Sequence, residues 1–412
     1  MRAEIAELHR SEWPRIVAAL ARRFRDLDVA EEAAGEAFVV ALERWREQLP
    51  PNPGGWLMTT ATHRAIDRLR RESQRQDKYA AALAIGRVAT VTPAPQDEVE
   101  AMQTDGSIGD DRLRLMFTCC HPALARDAQV ALTLRMVGGL TVEEIARGLL
   151  RSEAAMGQRI TRAKAKITAA NIPYRVPDAE DLPERLDAVL SVLYLVFNEG
   201  YLPGGEQALR PELSGEALRL TRLLCELLPR AREATGLLAL MLMTEARRAS
   251  RVSADGELVS LADQDRGAWD RALISEGQAL VQRLIEGGEA PGRYQLQAAI
   301  NAVHTFAQDI RDTDWDQLGT LYDQLYALNP SPVVALNRAI VIAELDGPAV
   351  ALADLDRLDL QQYHAWHAAR ADMLRRLGRS AAARDAYDAA IALAVNPAEV
   401  RFLSRRRASL PR

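Results

Sequence analysis

Residues 140–167 read LTVEEIARGLLRSEAAMGQRITRAKAKI, and this stretch decides the fold of the chain around it. Thr141 is followed by Glu144 at the spacing of a capping box, which predicts the first turn of a helix. Gly148 and Ser152 bracket a short turn, and a serine at this position can cap the helix that follows. The stretch therefore predicts two short helices joined by a tight turn.

The second predicted helix combines an apolar stripe with a basic face. Apolar residues recur at spacings of four, three and four: Met156, Ile160, Ala163 and Ile167. From Arg151 to Arg175 there are six basic residues and one acidic residue. Such a helix pair is typical of a helix-turn-helix, whose second helix enters the major groove while basic side chains hold phosphates. The residues predicted to contact DNA are Arg151, Ser152, Glu153, Arg159, Arg162, Lys164 and Lys166. A structural helix pair with a solvated charged face is the alternative.

Two segments nearer the start of the chain carry further patterns. Residues 28–45 place an acidic face before an apolar stripe. The acidic face is Asp28, Glu31 and Glu32, and the apolar stripe is Phe38, Ala41, Leu42 and Trp45. Residues 53–71 read PGGWLMTTATHRAIDRLRR, which predicts a turn and then a helix with basic residues on one face. Its arginines Arg64, Arg68, Arg70 and Arg71 are suited to binding phosphates.

The three segments together resemble the extracytoplasmic-function type of RNA polymerase sigma factor, over about residues 10–170. Residues 28–45 resemble the part of region two that grips the largest polymerase subunit. The resemblance implies polymerase-binding roles for Asp28, Glu31, Glu32, Glu36 and Phe38. Residues 53–71 resemble the part that opens and reads the minus-ten element. Roles there are implied for Trp56, Thr60, His63, Arg64, Arg68, Arg70 and Arg71. The helix-turn-helix resembles region four, which reads the minus-thirty-five element.

Two residues depart from the pattern of that family. Gly35 lies where the family usually has a longer polar residue, and a glycine inside a helix costs about 1 kcal/mol. His63 lies where the family often has asparagine, which puts direct base reading by this residue in doubt.

The organisation expected is all-α, with two small sigma domains and a large helical domain. Region two is predicted at 1–78, a linker rich in glycine and proline at 79–110, and region four at 111–172. A helical extension is predicted at 180–290 and tetratricopeptide-like repeats at 291–412. Residues 115–122 (LMFTCCHP), 193–201 (LYLVFNEGY) and 263–266 (DQDR) with Trp269 resemble a sigma subfamily that carries such an appended domain. Two Asn-Pro pairs, at 329 and 396, lie about two tetratricopeptide periods apart. A generic helical bundle is the alternative for these repeats.

Bulk composition agrees with a soluble chain that binds nucleic acid only locally. The 412 residues carry a formal net charge of −5, so a DNA site must be a basic patch on an acidic body. Three cysteines do not suggest a disulfide scaffold and fit a reducing cytoplasm. The first residues have no signal-peptide core, and the apolar run 188–197 is too short to span a bilayer. A cytoplasmic location and no membrane partner are therefore expected.

No catalytic group, cofactor or metal is expected. Cys119, Cys120 and His121 are adjacent, and buried thiols are the favoured interpretation over metal ligation. Asn198, Glu199, Asp263 and Arg266 suit either a polar pocket or structural ion pairs. If they formed a deep pocket, an enzyme would become an alternative. A helix-turn-helix regulator with a helical sensor that does not bind polymerase is the other alternative.

The large helical domain is expected to regulate the sigma domains within the same chain. The join at 171–183 holds three prolines, and a short tether raises the local concentration of one domain near the other. The contact with region four is predicted at a wide apolar stripe: Leu186, Val189, Leu190, Leu193 and Phe197.

Overall fold

The computed structural model describes residues 2–45, 48–83, 107–149, 151–201, 211–253 and 255–411. Within these ranges the chain forms helices and turns, with an isolated β-bridge between Val252 and Leu258 and no strand. The predicted all-α class is confirmed. The chain divides into two compact units, Met1–Leu193 and Tyr194–Arg412. No helix in the described ranges is long and apolar enough to cross a membrane.

The first unit is built from helices on both sides of the predicted linker. Its helices are α1 (Arg2–Phe24), α2 (Leu27–Arg44), α3 (Pro53–Leu83), α4 (Ser107–Cys119), α5 (Arg126–Met136), α6 (Val142–Gly148) and α7 (Glu153–Ala169), and α8 (Leu182–Tyr201) begins in it. Helix α3 continues through 79–83, which the sequence pattern assigned to the linker. Residues 84–106 of that linker lie outside the described ranges.

The predicted regions two and four pack against each other in this unit. Helix α1 contacts α2 and α3 on one side of the linker and α4 on the other. Trp13 in α1 and Phe117 in α4 are both fully buried. The Tyr174 hydroxyl lies 2.9 Å from the Ala18 carbonyl oxygen and 3.1 Å from that of Asp111. One tyrosine thus joins α1, α4 and the segment after α7.

The helix-turn-helix forms where the sequence pattern predicted it. The Thr141 hydroxyl accepts from the Glu144 backbone N–H, and the Glu144 carboxylate accepts from the Thr141 backbone N–H, which completes the capping box. Ser152 caps α7 by accepting from the Ala155 N–H. The predicted stripe is buried: Met156, Ile160, Ala163 and Ile167. Gly139 precedes α6 with a φ of 75°, a left-handed conformation that favours glycine.

The second unit is a chain of helices in which neighbours in sequence are neighbours in space. Its helices are α9 (Pro211–Leu227), α10 (Arg232–Glu245), α11 (Arg271–Glu286), α12 (Arg293–Phe306), α13 (Trp315–Leu328), α14 (Pro332–Leu345), α15 (Pro348–Leu355), α16 (His364–Arg376), α17 (Ser380–Leu393) and α18 (Pro397–Ala408). From α12 onward each helix contacts the next. Gly347 and Gly378 supply left-handed turns with φ of 90° and 72°. This packing order is the one expected of stacked helical repeats.

Candidate nucleic-acid and protein interface

Helix α2 presents the acidic residues that the sequence pattern singled out. The Asp26 carboxylate caps the helix by accepting from the backbone N–H groups of Asp28 and Val29. The cap fixes where the helix begins, and with it the direction of each side chain on the first turns. Of the five carboxylates that then follow along the helix, the first four form ion pairs with basic side chains: Asp28, Glu31, Glu32 and Glu36.

Glu31 forms the most buried of these ion pairs, and its partners come from the helix-turn-helix domain. The Arg135 Nε lies 2.6 Å from Glu31 Oε1, and the Lys164 Nζ lies 2.8 Å from Glu31 Oε2. The side chains of Glu31 and Lys164 are only 12% and 9% exposed. Lys164 also pairs with Asp28. Burial alone lowers the pKa of Lys164, but the charge of Glu31 and the hydrogen bonds to both carboxylates raise it above its usual value.

Arg135 is held in place from several directions. Its Nη1 donates to the Leu140 carbonyl at 2.8 Å. Its guanidinium lies 5.1 Å from the Trp13 ring, and the Trp13 Nε1 donates to the Arg135 carbonyl at 3.2 Å. We call the set Asp28, Glu31, Arg135 and Lys164 the interdomain clamp. It fastens α2 and α7 together in this conformation.

Two further carboxylates of α2 pair with arginines of α3. Glu32 pairs with Arg68, and Glu36 lies 3.6 Å from Arg64. All four side chains are between a third and a half exposed. Exposed pairs of this kind contribute little free energy. Both arginines can therefore exchange their carboxylate partner for a phosphate at low cost.

Two apolar side chains lie exposed on the same helix. Val39 is 55% and Leu42 is 51% exposed. Phe38, by contrast, is 5% exposed, with its ring 4.6 Å from that of His9. In this conformation Phe38 supports the helix from inside the domain, and its assignment to polymerase binding stays a prediction.

The side chains of α3 divide between a packed and an exposed group. The Trp56 ring lies 4.9 Å from that of the buried Trp45. Thr60 is half-buried. The exposed members of the predicted minus-ten set are His63, Arg70 and Arg71. This side of the helix offers solvent a basic surface beside an aromatic pair.

The predicted recognition helix α7 is only partly free to meet DNA. Its exposed predicted residues, with those of the preceding turn, are Arg151, Ser152, Glu153, Arg162 and Lys166. Arg159 is half-buried and lies 3.0 Å from an oxygen of Asp127. Lys164 is buried in the interdomain clamp. The assignment of Lys164 to DNA stays a prediction, because it requires the clamp to open.

Arg135, Val39 and Leu42 were not among the predicted site residues. Leu42 was part of a recognised apolar stripe, and its exposure could have been foreseen only by locating the core. Arg135 lies 104 residues from Glu31 in sequence, and no local pattern connects them. Cys119 and Cys120 are buried, as predicted, and burial raises the pKa of both thiols.

Three family models match parts of the chain. Residues 8–75 match sigma-70 region 2, and residues 114–167 match sigma-70 region 4. Residues 185–285 match a family of unknown function, DUF6596. The first two matches contain the predicted polymerase and promoter residues, and the third covers the start of the large helical domain.

Curated relatives match the chain over different lengths. An uncharacterized protein of Rhizobium meliloti (strain 1021) is 43% identical over 394 residues, which is 95% of this chain and 92% of the relative. The ECF RNA polymerase sigma factor SigK of Mycobacterium ulcerans (strain Agy99) is 30% identical over 36% of this chain and 75% of its own length. SigK of Mycobacterium bovis (strain BCG / Pasteur 1173P2) is 31% identical over 39% of this chain and 82% of its own. No solved structure matches the chain.

Proposed function

Because the chain belongs to the ECF family of RNA polymerase sigma factors and directs transcription initiation, we propose that α2 is its docking surface for core polymerase. Sigma factors bind core polymerase and promoter DNA, and they are not enzymes. The observation that carries the residue-level proposal is the pair of exposed apolar side chains, Val39 and Leu42, on a helix that also carries five carboxylates.

A small apolar centre within a charged surround is the usual composition of a protein interface. The apolar residues supply affinity when they are buried by the partner, and the charges guide the approach and fix the register. Val39 and Leu42 lie within about three turns of Glu32 and Glu36 on one helix. These four residues form what we call the α2 docking face.

Promoter contacts are proposed on α3 and α7. His63, Arg70 and Arg71 are exposed on α3, and the half-buried Trp56, backed by the buried Trp45, offers an aromatic ring on which an unstacked base can lie. On α7 the exposed Arg162 and Lys166 are placed to hold phosphates. Glu32 and Glu36 neutralise Arg68 and Arg64 while DNA is absent, and phosphates would replace them.

Polymerase can engage Asp28 and Glu31, in addition to the α2 docking face, only when the interdomain clamp opens. Lys164 and Arg135 cover Glu31, so the first turns of α2 and the middle of α7 are unavailable to partners in this conformation. Opening would free the acidic residues for polymerase and Lys164 for DNA at the same time. The two binding events would then stabilise the same open state, since each removes a partner from the other side of the clamp.

A test is the variant Leu42→Ser in the full chain. We expect weaker binding to core polymerase and a roughly tenfold loss of promoter-specific transcription at limiting protein, because burying one leucine is worth about 1.5 to 3 kcal/mol. The thermal stability should stay near that of the parent, since the side chain is already half exposed.

The matched control is Leu195→Ser, which removes a leucine that is 40% exposed on α8. It should leave polymerase affinity unchanged. Equal polymerase affinity of the parent and Leu42→Ser would contradict the proposed docking face. Promoter binding without any polymerase binding by the parent would instead indicate a helix-turn-helix regulator.

A further inference from the structure

The segment after α10 concentrates arginine in a way that the sigma function does not use. Residues 245–251 read EARRASR, and they lead into a short 3-10 helix, Arg248–Ser250. A second 3-10 helix, Arg266–Ala268, contacts the first. This packing gathers Arg247, Arg251 and Arg266 at one place in the second unit.

Arg266 is buried and only partly satisfied. It is 7% exposed, and its Nη1 donates to the carbonyl oxygens of His304 and Ala307 at 2.6 and 2.7 Å. Its guanidinium lies 4.8 Å from the Trp269 ring. Its Nη2 is buried and has no hydrogen-bond partner. The sequence pattern had offered Asp263 as a neighbour, but Asp263 bonds to Ser260 and Arg406.

Arg247 and Arg251 are half-buried, and their guanidinium groups are also only partly hydrogen-bonded. Arg247 donates from Nη2 to the Asn301 Oδ1 at 3.1 Å, and Arg251 donates from Nη1 to the Tyr201 hydroxyl at 3.2 Å. The Nε of each is buried without a partner. Burial lowers the pKa of Arg247, and the neighbouring charges of Arg251 and Arg266 lower it further, against an opposing effect of Tyr201.

Within the described ranges, no carboxylate forms an ion pair with any of these three arginines. Asp309 and Asp312 act on Arg266 only from a distance. Arg248, one residue after Arg247, is paired with a carboxylate in the usual way, because its Nη2 lies 2.5 Å from Glu245 Oε1. Buried cations that repel one another are costly unless an anion lies among them. Among its described residues, the second unit therefore holds a concentration of positive charge that no carboxylate pairs with directly.

His304 contacts Arg266 and also lines a cavity. Its carbonyl is bound by Arg266, and its buried Nδ1 has no partner. Burial, and then the charges of Arg247 and Arg266, lower the pKa of His304 to about 4, so the ring is neutral near pH 7. The ring lies on the wall of a cavity of 380 Å³ lined also by Ile310, Trp315 and Tyr322.

The other polar residues that line the cavity are compatible with an anionic ligand. Asn337 offers an amide. The Glu344 carboxylate is already neutralised by Arg376, whose Nη1 lies 2.7 Å from Glu344 Oε1. The volume suits a small metabolite with one ring or a short aliphatic body.

We propose that Arg247, Arg251 and Arg266 supply the positive charge, and His304 the adjoining wall, of a binding site for a small organic oxyanion whose apolar body fills the cavity that His304 lines. Guanidinium groups match phosphate and carboxylate oxygens through paired N–H donors. Neutral His304 can donate one further hydrogen bond without adding charge. We call these four residues the arginine site. It is independent of the polymerase and promoter surfaces of the first unit.

The experiment measures thermal unfolding of the full chain with inorganic phosphate, phenyl phosphate and benzoate, each at an ionic strength held constant with sodium chloride. We expect a saturable rise of roughly 3 to 6 °C at about ten times the dissociation constant. Phenyl phosphate should saturate at a lower concentration than inorganic phosphate, because its ring can enter the cavity. A response to benzoate alone would assign the guest as a carboxylate.

The variant Arg247→Gln should lose the ligand response while its melting temperature without ligand stays equal to or above that of the parent. Glutamine keeps a donor for Asn301 and removes an uncompensated buried charge, whereas a purely structural arginine would lower the melting temperature when replaced. Arg251→Gln serves as a second variant if Arg247→Gln does not fold. The control Arg283→Gln, exposed on α11, should respond as the parent does. An absent response, a response matched by sodium chloride, or one retained in Arg247→Gln and Arg251→Gln would overturn the proposal.

Discussion

Glu31 accepts from Arg135 on α5 through one carboxylate oxygen and from Lys164 on α7 through the other. A single carboxylate thereby joins region two to region four. Sequence pattern placed Glu31 on an acidic face, because the spacing along one helix is a local property. It did not supply Arg135 or Lys164 as partners, because they lie 104 and 133 residues away and no local rule sets that register. The same limit applies to Arg247 and Arg266, which meet only after folding.

The free-energy cost of Gly35 arises within its own helix. It lies within α2, and a Cβ built on it would have no heavy atom within 4 Å. We expect Gly35→Ala to raise the free energy of unfolding of the first unit by about 0.5 to 1 kcal/mol, since alanine restricts the unfolded chain and favours the helix. Chemical denaturation followed by circular dichroism measures this.

Gly139→Ala provides the opposite case in the same unit. Its φ is 75°, and a Cβ there would lie 3.0 Å from the Trp13 Cδ1. This variant should be destabilised. If Gly35→Ala were destabilised as well, another part of the protein would have to occupy the space beside Gly35 in solution, and the open surface described here would be contradicted.

At the scale of elements, the helix-turn-helix was predictable and its surroundings were not. The caps at Thr141 and Ser152 and the stripe from Met156 to Ile167 follow from residues within one turn of each other. All the basic residues of α7 were predicted to contact DNA. In the fold they are divided, because Lys164 faces α2 while Arg162 and Lys166 face solvent.

The division of α7 predicts different roles for two lysines on one helix. Lys164→Met should open the interdomain clamp, because Asp28 loses its lysine and Glu31 keeps only Arg135. Dyes attached at L42C on α2 and R162C on α7 would report a longer and broader distance distribution. Removing one partner of a buried ion pair costs about 3 kcal/mol, enough to shift the closed state substantially.

Lys166→Met is the matched control, since Lys166 is exposed two residues further along α7. It should leave the distance distribution unchanged. Identical distributions for both lysine variants would mean that the clamp does not hold the domains together in solution.

For the whole molecule, the sequence predicted two sigma domains followed by a larger helical domain, and the family matches agree with the sigma part. The packing of the sigma domains on each other was not foreseen, since a linker of glycine and proline carries no information about contacts beyond it. The predicted stripe on α8 is largely buried: Val189, Leu190, Leu193 and Phe197. Its first half belongs to the first unit, where the Arg185 Nη2 donates to the Phe117 carbonyl at 2.7 Å.

A chain ending at residue 176 should therefore lose more than the large domain. It lacks the Arg185 bond and the Arg126 bond to the Ala188 carbonyl, so α4 and α5 lose a neighbour. We expect a lower melting temperature of the sigma part and weaker promoter-specific transcription than for the full chain. Transcription and polymerase binding equal to those of the full chain would show that the large domain has another role, such as recruiting a separate partner.

The interdomain clamp also has a consequence for the order of events during synthesis. Glu31 and Lys164 are 133 residues apart, so at about 5 to 20 residues per second the ribosome needs roughly 7 to 27 s to supply the second partner after the first. During that interval the newborn α2 has emerged without the helix that will cover it. Each molecule thus passes once through a state in which Asp28 and Glu31 lack their basic partners, and a polymerase near the ribosome can meet these two carboxylates before Arg135 and Lys164 do.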